Sequence, residues 1–179
     1  MRGHPKLDDL GPALPRERWT LVEAVRHQAR AQGEREFLSF ENGERFSFAE
    51  FDRLTDCLAT ALANLGLTAG DRILGLLTNS KEFMITMIAT HKIRAVFVPV
   101  NTELRGGFLE HQIINSSPRI IVVDDNLMGR FSSFDPSETG IETVVGVGDE
   151  SSPDISRLGL LAEVSQVRLD SLLDTKPNT

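Results

Sequence analysis

Three nearly continuous apolar runs, separated by stretches of helical periodicity, restrict this chain more than any other feature. They are Ile73 to Leu77, Ala95 to Val100 and Ile120 to Val123. A strand with one wet face alternates apolar and polar residues. The first of these, Ile73 to Leu77, does not alternate, so both of its faces must be buried, as in a parallel strand between two helical layers, and the other two are expected to be further strands of the same sheet. The segments between them suit that role. Ser80 can cap a helix holding Phe83, Met84, Ile85, Met87 and Ile88, apolar over more than half its girth and expected to lie between layers. Leu104 to Ser116 turns Phe108, Leu109 and Ile113 inward. Strands alternating with helices of this length pair in parallel through right-handed crossovers. With Thr143 to Val147 as a fourth strand, the expectation is an α/β domain with a mostly parallel sheet in the order β-α-β-α-β-α-β.

A helix, a hairpin and a long amphipathic helix are expected before that sheet. Thr20 and Glu23 have the spacing of a reciprocal helix N-cap, and Leu21, Val22, Val25 and Ala29 then share one face up to Gly33. Phe37 to Phe40 and Arg45 to Ser47 flank Glu41-Asn42-Gly43-Glu44, where Asn-Gly suggests a type I′ turn. Ser47 and Glu50 form a second capping pair. Behind them Phe48, Phe51, Leu54, Leu58, Leu62 and Leu65 make one stripe, and Gly66 stands where the helix should stop. Further expectations are a short helix near Asn126 to Phe131, a weakly amphipathic segment from Ile155 to Glu163 and a Leu169, Leu172, Leu173 cluster. Met1 to Arg18, with Pro5, Pro12 and Pro15 among charges, suggests an irregular arm without the apolar centre of a signal peptide.

Composition excludes several functions. A formal charge of −7 with scattered Lys and Arg argues against nucleic acid, whose phosphates need clustered cations. Cys57 is the single cysteine, so there is no disulfide within the chain and no multi-cysteine metal site. No run approaches the ~20 apolar residues of a membrane-spanning helix. A cytoplasmic protein is expected.

Motifs that carry chemistry are sparse. None of the lysines, Lys6, Lys81, Lys92 and Lys176, follows a glycine, so a Gly-x-x-x-x-Gly-Lys phosphate loop cannot form. Gly146-Val147-Gly148-Asp149 is taken as a strand-end turn, since acidic residues stand where phosphate would sit. The histidines His4, His27, His91 and His111 are dispersed, and Cys57 has no basic neighbour in sequence. Asp124-Asp125 follows a strand end and is expected to cap the next helix. Asn79, Ser80, Asn101 and Thr102 lie just past strand C-termini, where parallel sheets bind small molecules, and are the substrate-mouth candidates. The same residues are natural helix caps. No catalytic, cofactor-binding or metal position is assigned.

Taken together, Phe46-Ser47-Phe48-Ala49-Glu50-Phe51, Gly70 to Ser80, Ala95 to Asn101 and Arg119 to Asp124 resemble the opening third of the AMP-forming adenylating enzymes. That superfamily includes acyl-CoA synthetases, aryl-CoA ligases, luciferases and adenylation domains. Val98-Pro99-Val100-Asn101 and Arg105 to His111 look more like the acyl-CoA synthetase branch, near carnitine-type CoA ligases. The resemblance implies the first N-terminal subdomain over residues 19–179, and a full-length enzyme that uses ATP, Mg²⁺ and CoA. It implies a carboxylate attacking the ATP α-phosphate, followed by thiol capture of the acyl adenylate. The family's next motif, a Ser/Thr-Gly-rich loop ending Pro-Lys-Gly, does not occur here; the one Pro-Lys pair is Pro5-Lys6. The expectation is therefore an N-terminal fragment of an acyl-CoA synthetase, inert alone, partnered by the rest of the large domain and prone to self-association. The alternative is a free-standing, non-catalytic α/β binding or interaction module. One departure from the family pattern stands out: Arg94 occupies the helix-to-strand junction usually held by Gly.

Overall fold

The core of this chain is a parallel sheet whose two faces are closed by helices of the same chain. The computed structural model describes residues 15–131, 139–148 and 164–177. Its elements are α1 (Leu21–Gln32), β1 (Glu36–Ser39), β2 (Arg45–Ser47), α2 (Phe48–Asn64), β3 (Arg72–Leu76), α3 (Lys81–Lys92), β4 (Val96–Pro99), α4 (Gly106–Ser116), β5 (Ile120–Asp124), β6 (Thr143–Val147), β7 (Ser165–Arg168) and α5 (Leu169–Leu173). Strands β1 and β2 form an antiparallel hairpin, and the other strands make a five-stranded sheet in the order β4-β3-β5-β6-β7. All pairings in that sheet are parallel.

The apolar runs explain the layering. In β3, Ile73 faces α2 and α3, whereas Leu74 and Leu76 face α4. The same division places Ile120 and Val122 of β5 on one side and Ile121 and Val123 on the other. Phe51, Leu58 and Leu62 of α2 are each about 1% exposed against the first face. Burial of side chains this size contributes roughly 1.5–3 kcal/mol apiece. Gly75 leaves room on that face for the Phe97 ring, which packs edge-on against Phe83 with centroids 5.4 Å apart.

Local signals set the helix ends. Thr20, Ser47 and Ser80 each accept a bond from the backbone N–H three residues on. Gly66 ends α2 at φ 89°, with its own N–H on the Ala63 carbonyl and the Leu67 N–H on Leu62. The same paired bonds end α3, from Arg94 to His91 and from Ala95 to Thr90, and they hold Arg94 at φ 61°. The junction is left-handed, as the family pattern implies. Lys92, in the last turn of α3, has a side chain only 1% exposed. Its ammonium donates to the Asp52 carboxylate at 2.6 Å, the Asp56 carboxylate at 2.7 Å and the Asp52 carbonyl at 2.9 Å. All three protons are used, and α3 is pinned to α2.

Several expectations need correction. Asn42 does not adopt positive φ, so the hairpin turn is not type I′. The Gly43 N–H reaches the Phe40 carbonyl and only Gly43, at φ 88°, is left-handed, which is a type I turn closed by a glycine bulge. Leu21 is 47% exposed and no residue of α1 is fully buried, because α1 lies outside α2. The short helix expected near Asn126 to Phe131 is present, as a 3-10 helix over Asp125–Phe131. Helix α4 begins at Gly106 rather than Leu104. The sheet gains a fifth strand, β7. Within the expected N-terminal arm, Arg16–Arg18 form one 3-10 turn, and residues 1–14 lie outside the described residues, as does the segment from Ile155 to Glu163.

Candidate functional site

The order β4-β3-β5-β6-β7 contains a reversal. From β3 the chain moves to one edge through α3, then returns across β3 through α4 to reach β5. Helix α3 packs on one face of the sheet, and α4 and the 3-10 segment after β5 on the other, so the loops leaving β3 and β5 diverge and open a crevice at their C-terminal ends. Small molecules bind at such switch points in open α/β sheets.

One pair of residues bridges this crevice. The Asp124 carboxylate, 8% exposed at the end of β5, accepts from the Thr78 backbone N–H and from the Thr78 hydroxyl, both at 2.7 Å. The expectation that Asp124 and Asp125 cap the next helix does not hold, since their partners are remote. Arg168 of β7 donates to both Asp125 oxygens, at 2.7 and 2.8 Å, and also reaches the Gly148 carbonyl. Gly148, at φ 146°, has no room for a Cβ, which would fall 2.4 Å from the Asp125 carboxylate.

Two clefts open beside this bridge. One, of about 390 Å³, is lined by Leu77, Asn79, Phe83, Pro99, Asn101 and Thr102. The structure thus brings three of the four substrate-mouth candidates together across β3 and β4. The Asn101 side chain is partly engaged, accepting from the Glu103 N–H at 2.9 Å. Ser80 lies in the neighbouring cleft, of about 470 Å³, with Thr78, Lys81, Asp124, Asp125 and Asp170, and its hydroxyl caps α3.

That second cleft is acidic. Burial opposes the charge on Lys81, but the bond it donates to Glu44 and the fields of Glu82, Glu44 and Asp170 outweigh it and raise the ammonium above its usual range. The bond to Lys81, helped by Asn42, lowers Glu44 in turn. Lys81 also stands 5.9 Å over the Phe46 ring, so the hairpin is tethered to the rim. Sequence alone pointed to neither Thr78 nor Arg168, because their partners are 46 and 43 residues away.

The other flagged residues lie apart. Cys57 is 3% exposed in α2, with Arg53 3.8 Å from its sulfur. His91 and His111 are exposed on separate helices, and His27 is half-buried on α1. Among the described residues no three His, Cys, Asp or Glu side chains gather to hold a metal ion, and no helix is long and apolar enough to cross a membrane.

The AMP-binding enzyme model matches residues 25–172. The chain belongs to that family. The AMP-binding match is echoed in individual relatives. A long-chain-fatty-acid–CoA ligase of Mycobacterium tuberculosis is 31% identical over 78 residues, 44% of this chain and 16% of the ligase. The 3-oxocholest-4-en-26-oate–CoA ligase of Rhodococcus rhodochrous is 27% identical over 139 residues, 78% of this chain and 25% of the ligase. The crystal structure of the anthranilate CoA ligase AuaEII in complex with anthranoyl-AMP shares the fold, with a TM-score of 0.75 and 16% identity over 88% of this chain and 28% of that one. The matches therefore span a quarter or less of these curated relatives' length.

Proposed function

We propose that this chain is the N-terminal α/β layer of an ATP-dependent acyl-CoA synthetase. Such an enzyme activates a carboxylic acid as its acyl adenylate and passes the acyl group to CoA. The observation that carries this proposal is the AMP-binding match over residues 25–172, in a chain that covers only 28% of a ligase it superposes on. In this role the layer is a buttress. Asn79, Asn101 and Thr102, with Ser80 beside them, form one wall of a substrate mouth at the strand C-termini.

The chemistry is assigned to other parts of the enzyme. The acidic cleft is a poor seat for ATP: it sets Glu82, Asp124, Asp125 and Asp170 around Lys81, and four carboxylates disfavour a triphosphate. Its one glycine, Gly148, already gives its carbonyl to Arg168. Carboxylate-dependent ATP–pyrophosphate exchange tests the assignment. The 179-residue chain should stay at background with a panel of acyl acids, and exchange above background would overturn the assignment.

One observation favours the second reading, an autonomous binding module. Helix α3, expected to lie between layers, has its apolar residues taken up by this chain: Ile85, Ile88 and Ala89 are buried, and Phe83, Met84 and Met87 pack against the same core. The large exposed apolar side chains are elsewhere, at Phe108 (79%), Val96 and Ile114 (both 47%) on the α4 side, and at Trp19 and Leu21. Sedimentation over a concentration series with an apolar-surface dye separates the two readings. Self-association and dye binding are expected of the synthetase layer, and a compact monomer without dye binding of the module.

A further inference from the structure

The end of the sheet opposite the substrate mouth carries a cleft of about 580 Å³, between the first turn of α1 and the last turn of α3. Its walls include Leu21, Val22 and Arg26 of α1 on one side and His91 and Arg94, at the end of α3, on the other. We propose that this cleft binds an amphipathic anion, its phosphate or carboxylate head on Arg94 and its apolar body along Leu21 and Val22.

Charge bookkeeping singles out Arg94. Glu23, also in the cleft, is taken by Arg18. Asp52 and Asp56 are taken by Lys92, with Arg26 3.8 Å from Asp56. These three carboxylates thus have cations, while the Arg94 guanidinium has no ion pair or hydrogen bond among the described residues. Arg94 is also exposed and held at φ 61°, a backbone position where glycine is cheaper. A residue held in such a conformation, with no side-chain hydrogen bond or ion pair to offset the strain, is a candidate functional position.

The surroundings favour one head-group sign and an apolar tail. The guanidinium fork matches carboxylate and phosphate oxygens in bidentate fashion. The first-turn amides of α1 add positive potential at the mouth. Leu21, 47% exposed, supplies unused apolar surface on the same wall. The cleft volume falls in the range of about 300–1,000 Å³ found for small-molecule sites. The site is independent of the proposed synthetase role, because it lies at the other end of the strands.

Calorimetric and amide-shift titrations of the full chain with octyl phosphate test the proposal. Octanoate in parallel distinguishes the two head groups, and inorganic phosphate and octyltrimethylammonium serve as controls. Saturable binding of at least one octyl anion is expected, with shifts at residues 20–26 and 91–95, weaker binding of inorganic phosphate and none of the ammonium. Binding should weaken as salt screens the head group. Arg94→Gly should lower affinity about tenfold or more, the worth of a charge-assisted hydrogen bond. Arg94→Gln, which keeps bulk and strain, should give a similar loss and stands in if the glycine variant fails to fold. Absence of saturable binding, shifts that map elsewhere, or wild-type affinity in both variants would overturn the proposal.

Discussion

Replacing Arg94 by glycine should stabilise the chain, and the size of the gain follows from the backbone. Arg94 stands two residues past the end of α3 with φ at 61°, locked there by the Arg94–His91 and Ala95–Thr90 backbone bonds and by its own carbonyl, which accepts from the Gly70 N–H. An L-residue in this region is strained by roughly 1–2 kcal/mol, which glycine relieves. Against that, glycine gives the unfolded chain more freedom and returns about 0.4–1 kcal/mol. The exposed, unpaired side chain has no native contact to lose. The net expectation is a gain of up to ~1 kcal/mol, or roughly 2–4 °C in midpoint temperature for a chain of this size. Urea denaturation of wild type, Arg94→Gly and Arg94→Ala measures it. Alanine keeps the Cβ that causes the strain, so its midpoint should stay near wild type. An unchanged or lower midpoint for Arg94→Gly would refute the argument. So would an equal gain for Arg94→Ala, which would trace the effect to the guanidinium.

Three other perturbations probe packing and charge. Gly75→Ala sets a Cβ 2.6–2.7 Å from the Phe97 ring, so the denaturation midpoint should fall by the equivalent of about 1–3 kcal/mol, with part recovered on adding Phe97→Leu. Lys92→Met strips the cation from Asp52 and Asp56, which are 19% and 35% exposed; that exposure brings the cost below the ~3–5 kcal/mol of a fully buried pair, to about 2 kcal/mol, and adding Asp52→Asn and Asp56→Asn should recover most of it. Acid should weaken the N-terminal end of the sheet. Bonds from the Thr68 backbone and hydroxyl, then Arg119, lower Asp71, and the bond from Arg119 lowers Glu142. With folded values below the ordinary 3.8 and 4.5, their stabilisation is complete above those values and lost as pH falls through the lowered ones. Midpoints measured from pH 7 to pH 3 should show that fall, and Arg119→Gln should flatten it.

The elements of this fold were legible wherever one residue's chemistry decides a local outcome. Thr20, Ser47 and Ser80 each satisfy a free N–H within three residues, and Gly66 supplies a left-handed stop, so the helix ends could be read directly. The unalternating run of β3 announces a strand buried on both faces, and the apolar run of β5 announces a further strand. Strand β7, Ser-Gln-Val-Arg, could not be read this way: it pairs only with β6, and an edge strand needs little apolar signal. The Asn42-Gly43 turn failed for a related reason, since the same pair fits two turn types and hairpin register selects between them.

The candidate site divides along the same line. Sequence placed Asn79, Ser80, Asn101 and Thr102 past strand ends, because strand boundaries are a local property. Strand order is not local, and it alone opens the crevice between β3 and β5 and carries Thr78 to Asp124, Arg168 to Asp125 and Arg94 to the first turn of α1. Short-range propensity and capping determined what each segment becomes. Which side chains meet was left to burial of both sheet faces, a free energy that belongs to the assembled layers and to no segment within them.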